Sequence, residues 1–159
     1  MIIVSDTTPL RYLGALGELE LLPRLFGQIV VPSIVISECL HHSAPENLRM
    51  WAAAPPDWLV LIEIVEFHAR VNDLDPGEAA AITAALSMKA DLLLIDERKG
   101  RARAASLGLK RIGTLAILAQ AGRRGWLDYH QSVDRLVSGT NFRVSAEVVD
   151  VTWQQTVIG

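Results

Sequence analysis

Four acids sit where carboxylates can do chemistry: Asp6, Glu38, Glu78 and Asp96. Asp6 follows the apolar run Ile2-Ile3-Val4, and Asp96 follows the apolar run Leu92 to Ile95. If both runs are strands of one parallel sheet, both acids fall on the same edge. On neighbouring strands they stand about 4.8 Å apart or a little more. Two carboxylates that close repel unless a proton or a cation lies between them. Glu38 is enclosed by Ile34, Val35, Cys39 and Leu40, where a charge is costly unless it is paired or binds a metal. Glu78 heads the stripe Ile82–Leu86 of an alanine-rich helix, whose start aims it at the same edge. Oxygen ligands without matching histidines suit Mg²⁺ or Mn²⁺ better than zinc.

Basic residues and hydroxyls surround these acids. Arg98, Lys99, Arg101 and Arg103 follow Asp96, and Arg98 and Arg101 are spaced to share a helix face. A cation that holds a scissile phosphate, with arginines on flanking phosphates, is what a phosphodiester substrate requires. Thr7, Thr8 and Thr114 add hydroxyls at strand ends, available to a metal-bound water or a phosphate. Each residue also has a purely structural reading. Asp6 can stabilise the turn after it, and Asp96 can cap the basic helix. Asp75-x-x-Glu78 matches a capping box. Glu38 can pair with an arginine or reach solvent. Thr8 before Pro9 reads as a helix cap, and Thr114 divides between a cap and a site role.

The elements that must position these residues alternate along the chain. Strands are expected at 2–4, 29–31, 59–62, 92–95 and 110–112. Helices are expected from Pro9 to about Leu16, ended by Gly17, then at 18–26, 33–42, 46–54, 63–71, 75–89, 97–107, 115–121 and 129–137, with a last helix or tail at 145–156. The runs at 2–4, 59–62 and 92–95 are continuously apolar, which means burial on both faces and a mostly parallel sheet with helices on each side. The expected fold is therefore a three-layer α/β/α sandwich, with its site beyond the C-terminal strand ends.

The chain has 159 residues, half of them hydrophobic, 21% charged, and a net charge of −3. That balance excludes intrinsic disorder and fits one domain over residues 1–159. A pI near 5.8 argues against a broad basic surface. The lone cysteine, Cys39, excludes an internal disulfide framework and suits a reducing cytoplasm. No apolar run spans a bilayer, and the N-terminus lacks a signal-peptide pattern. Cys39 with His41 and His42 has the wrong spacing for zinc. The four tryptophans read as packing or interface residues.

Five segments in order resemble a PIN-domain protein: IIVSDTTPL, VVPSIVISECL, LDPGEAAAITAAL, LLLIDERKGRARAASLGL and GTLAILAQAGRRG. The likeness runs from Ile2 to about Asp150 and is similar to a branch related to VapC-like toxins, known as a domain of unknown function. It implies a metal-dependent nuclease with an α/β/α fold. It puts the catalytic acids on Asp6, Glu38, Glu78 and Asp96, the residues already chosen. Two positions depart from the pattern. Glu78 stands where VapC-like proteins commonly have aspartate, and Arg98 stands where many relatives carry another acid.

The expectation is thus an Mg²⁺- or Mn²⁺-dependent endoribonuclease acting on RNA, the toxin of a toxin–antitoxin pair. Asp6 and Asp96 would be the main metal ligands, with Glu38 and Glu78 completing the pocket. Thr7, Arg98, Arg101 and Thr114 would contact substrate. A cognate antitoxin and a homodimer are the expected partners. Two alternatives remain: a PIN-fold module that binds a partner without hydrolysis, and a phosphatase with Asp6 as nucleophile. Thr8 counts against the phosphatase, which needs a second aspartate there.

Overall fold

Ile3 and Val4 are neighbours in sequence, yet they belong to two separate hydrophobic cores. The computed structural model describes residues 1–156; residues 157–159, included in the single-domain expectation, lie outside the described residues. The strands are β1 (Ile3–Ser5), β2 (Ile29–Pro32), β3 (Leu59–Ile62), β4 (Leu92–Leu94) and β5 (Arg111–Ile112). All pair in parallel, in the order β3-β2-β1-β4-β5. Side chains alternate across the sheet. Ile3, Ile29, Val31 and Leu94 enter one core, while Val4, Val30, Leu93 and Ile95 enter the other. The three-layer expectation holds.

The helices are α1 (Thr7–Leu16), α2 (Leu21–Phe26), α3 (Ser33–Cys39), α4 (Glu46–Ala53), α5 (Pro76–Met88), α6 (Arg98–Ser106), α7 (Thr114–Arg123), α8 (Tyr129–Gly139) and α9 (Ala146–Gln155). The first core draws on α1–α4, α7 and α8, and the second on α5 and α6. Residues Gly77 to Ala85 of α5 are all buried, which explains a helix so rich in alanine. Gly17 ends α1 in the left-handed conformation, with φ at 71°. The C-terminal segment is a helix, α9, started by Ser145, whose hydroxyl accepts from the Val148 N–H at 3.2 Å. Among the described residues no helix is long and apolar enough to cross a membrane.

Three local expectations are corrected. The 63–71 segment is not a helix; only Ala69–Val71 forms a short 3₁₀ turn. Val65 is 95% exposed and Phe67 is also exposed, so only Ile64 and Val71 of the segment's large hydrophobics reach the second core, too few to stabilise so short a helix. The cap of α1 is Asp6 rather than Thr8, and Pro9 lies within the first turn. The Asp75–Glu78 capping box does not form, because Asp75 makes no side-chain cap bond and Glu78 is turned inward.

The strand order places a reversal between β1 and β4. Their C-terminal ends form the crevice where open α/β sheets bind ligands.

Candidate active site

Asp6 follows β1 at that crevice, and its backbone N–H donates to the Leu94 carbonyl of β4 at 2.9 Å. The residue is 1% exposed. Neither of its carboxylate oxygens has a hydrogen-bond partner among the described residues. Burial pushes its carboxyl up to about 8, and the negative charges of Glu78, Glu38 and Asp96 add to the rise. The Thr7 backbone N–H offsets part of this without completing a hydrogen bond.

The other three acids reach the same edge from different elements. Glu78, in the first turn of α5, is 7% exposed. Burial pushes its carboxyl up to about 7, helped by Asp75, Glu97 and Glu38 and opposed by Lys99. Glu38, on α3, is half-buried and accepts a 2.7 Å hydrogen bond from the Thr7 hydroxyl. Asp96 follows β4 and accepts two bonds from Thr114, from the backbone N–H at 2.8 Å and the hydroxyl at 2.7 Å. Burial raises its pKa, while the Thr114 bonds and Arg101 pull it down.

Thr7 and Thr114, both expected to contact substrate, are buried and donate to site carboxylates. They hold Glu38 and Asp96. Thr114 is not the cap of α7; Gly113 occupies that position. Nor does Asp96 cap α6, whose cap residue is Glu97.

Backbone walls, not visible in the choice of acids, complete the arrangement. A Cβ at Gly77 would collide with both carboxylate oxygens of Glu38. One at Gly100 would lie 2.6 Å from Glu78 Oε2, and one at Gly113 would lie 2.6 Å from Asp96 Oδ1. Three glycines thus lie against three of the four acids. Their sequence signal is a glycine in the first turn of α5 and another in that of α6, where alanine would favour the helix.

The basic helix α6 divides its cations. Lys99 and Arg103 are engaged by Asp73, with Arg103 donating two bonds at 2.8 and 3.0 Å. Those bonds hold the Asp73 carboxyl well below the usual range. Arg98 and Arg101 instead line a cleft of 380 Å³ together with Asp96. Arg101 Nη1 donates to the Ile95 carbonyl at 3.0 Å. Arg98 has no hydrogen bond or ion pair among the described residues. A second cleft, of 590 Å³, meets the first at Tyr12 and Glu97 and is lined by Thr8 and Arg11.

The donor set is all oxygen, and the two partnerless Asp6 oxygens inside an acidic pocket fit a hard divalent cation. Among the described residues, no three histidine, cysteine or acidic side chains converge into a ready-made metal cluster. The four acids therefore share an edge without forming a closed shell. Cys39 is buried in α3, and burial pushes its thiol up to about 12, as befits a core residue.

A family model described as a PIN domain matches residues 2–156. No curated protein sequence matches the chain. The structure is similar to that of a PilT N-terminus domain protein from the hyperthermophilic archaeon Sulfolobus solfataricus P2. The TM-score is 0.56 and the identity 18%, over 75% of this chain and 92% of that one. At that identity the likeness speaks to the fold.

Proposed function

Since the chain belongs to the PIN-domain family, a nuclease fold, we propose that it is a metal-dependent endoribonuclease and the toxin of a toxin–antitoxin pair. One observation carries this reading: Asp6 buries two carboxylate oxygens with no partner among the described residues at the β1–β4 crevice, amid three further acids. Such a group is costly unless a proton or a cation joins it. Asp6 and Asp96 would hold Mg²⁺ or Mn²⁺, with Glu38 and Glu78 acting directly or through water. When bound, the cation supplies Lewis acidity and charge compensation at the scissile phosphate.

The chain's own groups do the rest. The Thr114 N–H and hydroxyl fix the Asp96 carboxylate, and the Thr7 hydroxyl fixes Glu38. Burial favours the protonated form of the Asp6 carboxyl in the metal-free protein. Arg98 and Arg101 offer guanidinium groups to phosphates on the Asp96 side. A cognate antitoxin would present a basic side chain to the acids, and a homodimer is the proposed assembly. RNA as substrate makes the cytoplasm the proposed compartment.

A second reading is a partner-binding PIN-fold module without hydrolysis. The lack of three converging ligands among the described residues favours it. Calorimetric titration with Mn²⁺, on wild type and Asp6→Asn, separates the two, run beside cleavage of a panel of structured RNAs. The nuclease reading expects binding and Mn²⁺-dependent cleavage in wild type and neither in the variant. Absence of both from wild type at millimolar metal would leave the binding module.

A further inference from the structure

Helix α9 is pinned along one face. The Arg123 guanidinium donates to the Trp153 carbonyl at 2.7 Å and lies 3.8 Å over the Trp153 ring. The Tyr129 ring stacks on Trp153 at 5.0 Å, and its hydroxyl donates to the Val149 carbonyl at 2.8 Å. Asp150 stands 3.6 Å from His130. Residues 149, 150 and 153 thus fasten the helix, although none of its residues is fully buried. Val148 and Thr152, four apart, line the 380 Å³ cleft that Asp96 and Arg98 also line. Val148 is 48% exposed.

The rest of that cleft is equally fixed. The Phe142 ring meets the Tyr12 ring edge-on, 5.1 Å between centroids at 86°, and the Tyr12 hydroxyl donates to Asn141 Oδ1 at 3.0 Å. The cleft therefore combines an aromatic and aliphatic wall, a hydroxyl, an unengaged guanidinium and an acid of the candidate site. Its volume falls within the roughly 300–1,000 Å³ of small-ligand sites. A bare anion leaves the Tyr12–Phe142–Val148 wall without a role, and a purely apolar ligand leaves Arg98 without one. A nucleotide uses both, its base against the wall and its phosphate on the arginine.

We propose that this cleft is a nucleotide subsite, in which the C-terminal helix selects one base of the RNA chain next to the bond that is cut. The ligand class rests on the nuclease reading; the cleft does not. Free mononucleotides share this chemistry, so the two sources are tested separately.

The first arm titrates isotope-labelled, metal-free protein with AMP, CMP, GMP, UMP or inorganic phosphate and follows backbone amide shifts. The expected result is movement of Val148 and Thr152 with nucleotides, unequal among the four bases, and none at Val148 with inorganic phosphate. Affinity should fall about tenfold in Val148→Trp, which fills the cleft, and about fivefold in Arg98→Ala. The second arm sequences the ends produced from a randomised RNA. Wild type should show a base preference beside the cut, and Val148→Trp should lose it. No amide movement with any nucleotide at millimolar concentration, or a cut-site preference unchanged by Val148→Trp, would overturn the subsite while leaving the nuclease intact. Nucleotide binding that Val148→Trp removes, without RNA cleavage under any metal, would keep the nucleotide site but overturn the nuclease reading and, with it, the selection of a base beside a cut.

Discussion

Thr7 Oγ1 donates to Glu38 Oε2 at 2.7 Å, so the residue beside Asp6 holds an acid thirty-one positions away. The bond joins α1 to α3 at the crevice. Thr7→Val should remove it while keeping the shape of the side chain. Stability should fall by about 1 kcal/mol in chemical denaturation, and RNA cleavage by roughly tenfold. Thr7→Ser should restore both. An unaltered cleavage rate in Thr7→Val would show that Glu38 needs no such hold.

Asp6 ties the stability of the metal-free protein to pH. Its folded pKa of about 8 lies above the ordinary 3.8, so the fold favours the protonated form. That contribution is complete below the unfolded value and is lost as pH rises through about 8. Glu78 acts the same way up to about 7. Metal-free protein should therefore melt at a lower temperature at pH 8.5 than at pH 5. Asp6→Asn should be stabilised at pH 8.5, on the order of a few kcal/mol, with little gain at pH 4. Melting curves across this range check the sign.

Mn²⁺ should reverse the loss at high pH. With metal at one hundred times its dissociation constant, wild type should gain about 2.7 kcal/mol. Asp6→Asn should gain far less. Differential scanning fluorimetry with and without chelator reads the difference.

Gly100 leaves room for Glu78. A methyl group there would stand 2.6 Å from Glu78 Oε2 and 2.8 Å from Ile95 Cδ1. Gly100→Ala should cut RNA cleavage by about tenfold or more through a displaced carboxylate, although alanine gains about 1 kcal/mol in helix propensity. Adding Glu78→Asp, which shortens the side chain, should recover part of the rate. Kinetics on the single and double variants test the pairing.

Arg98 and Arg103 should behave differently despite sharing α6. Arg98→Ala should weaken RNA binding and reduce the salt slope by about 0.7, the value for one phosphate contact on a single strand. Arg103→Ala should leave the slope unchanged, because its guanidinium is engaged by Asp73. Binding isotherms over a range of salt concentrations decide between them.

The apolar runs at 2–4, 29–31 and 92–95 were legible because parallel strands buried on both faces cannot alternate, whereas the run at 59–62, read the same way, is an edge strand with Leu61 49% exposed. The placement of Asp6 and Asp96 followed from the strand ends, and that of Glu38 and Glu78 from charges within apolar helices. What sequence could not supply was the partner of each group. Nothing local assigns the Thr7 hydroxyl to Glu38, or the Thr114 hydroxyl to Asp96 rather than to a helix cap. Gly77, Gly100 and Gly113 lie against carboxylates from other elements, a contact that no local pattern reveals. The 63–71 segment had apolar residues enough for a weak helix, but whether a core faces them is a tertiary fact.

β1 has only three residues and ends directly at Asp6. Ile3 serves one core and Val4 the other. Deleting a single residue here would exchange the two layers' contents and withdraw the carboxylate from the crevice in the same stroke. The N-terminal segment therefore cannot drift in length without forfeiting architecture and chemistry together. Insertions have more room in a connection such as 65–67, whose residues are exposed and belong to neither core.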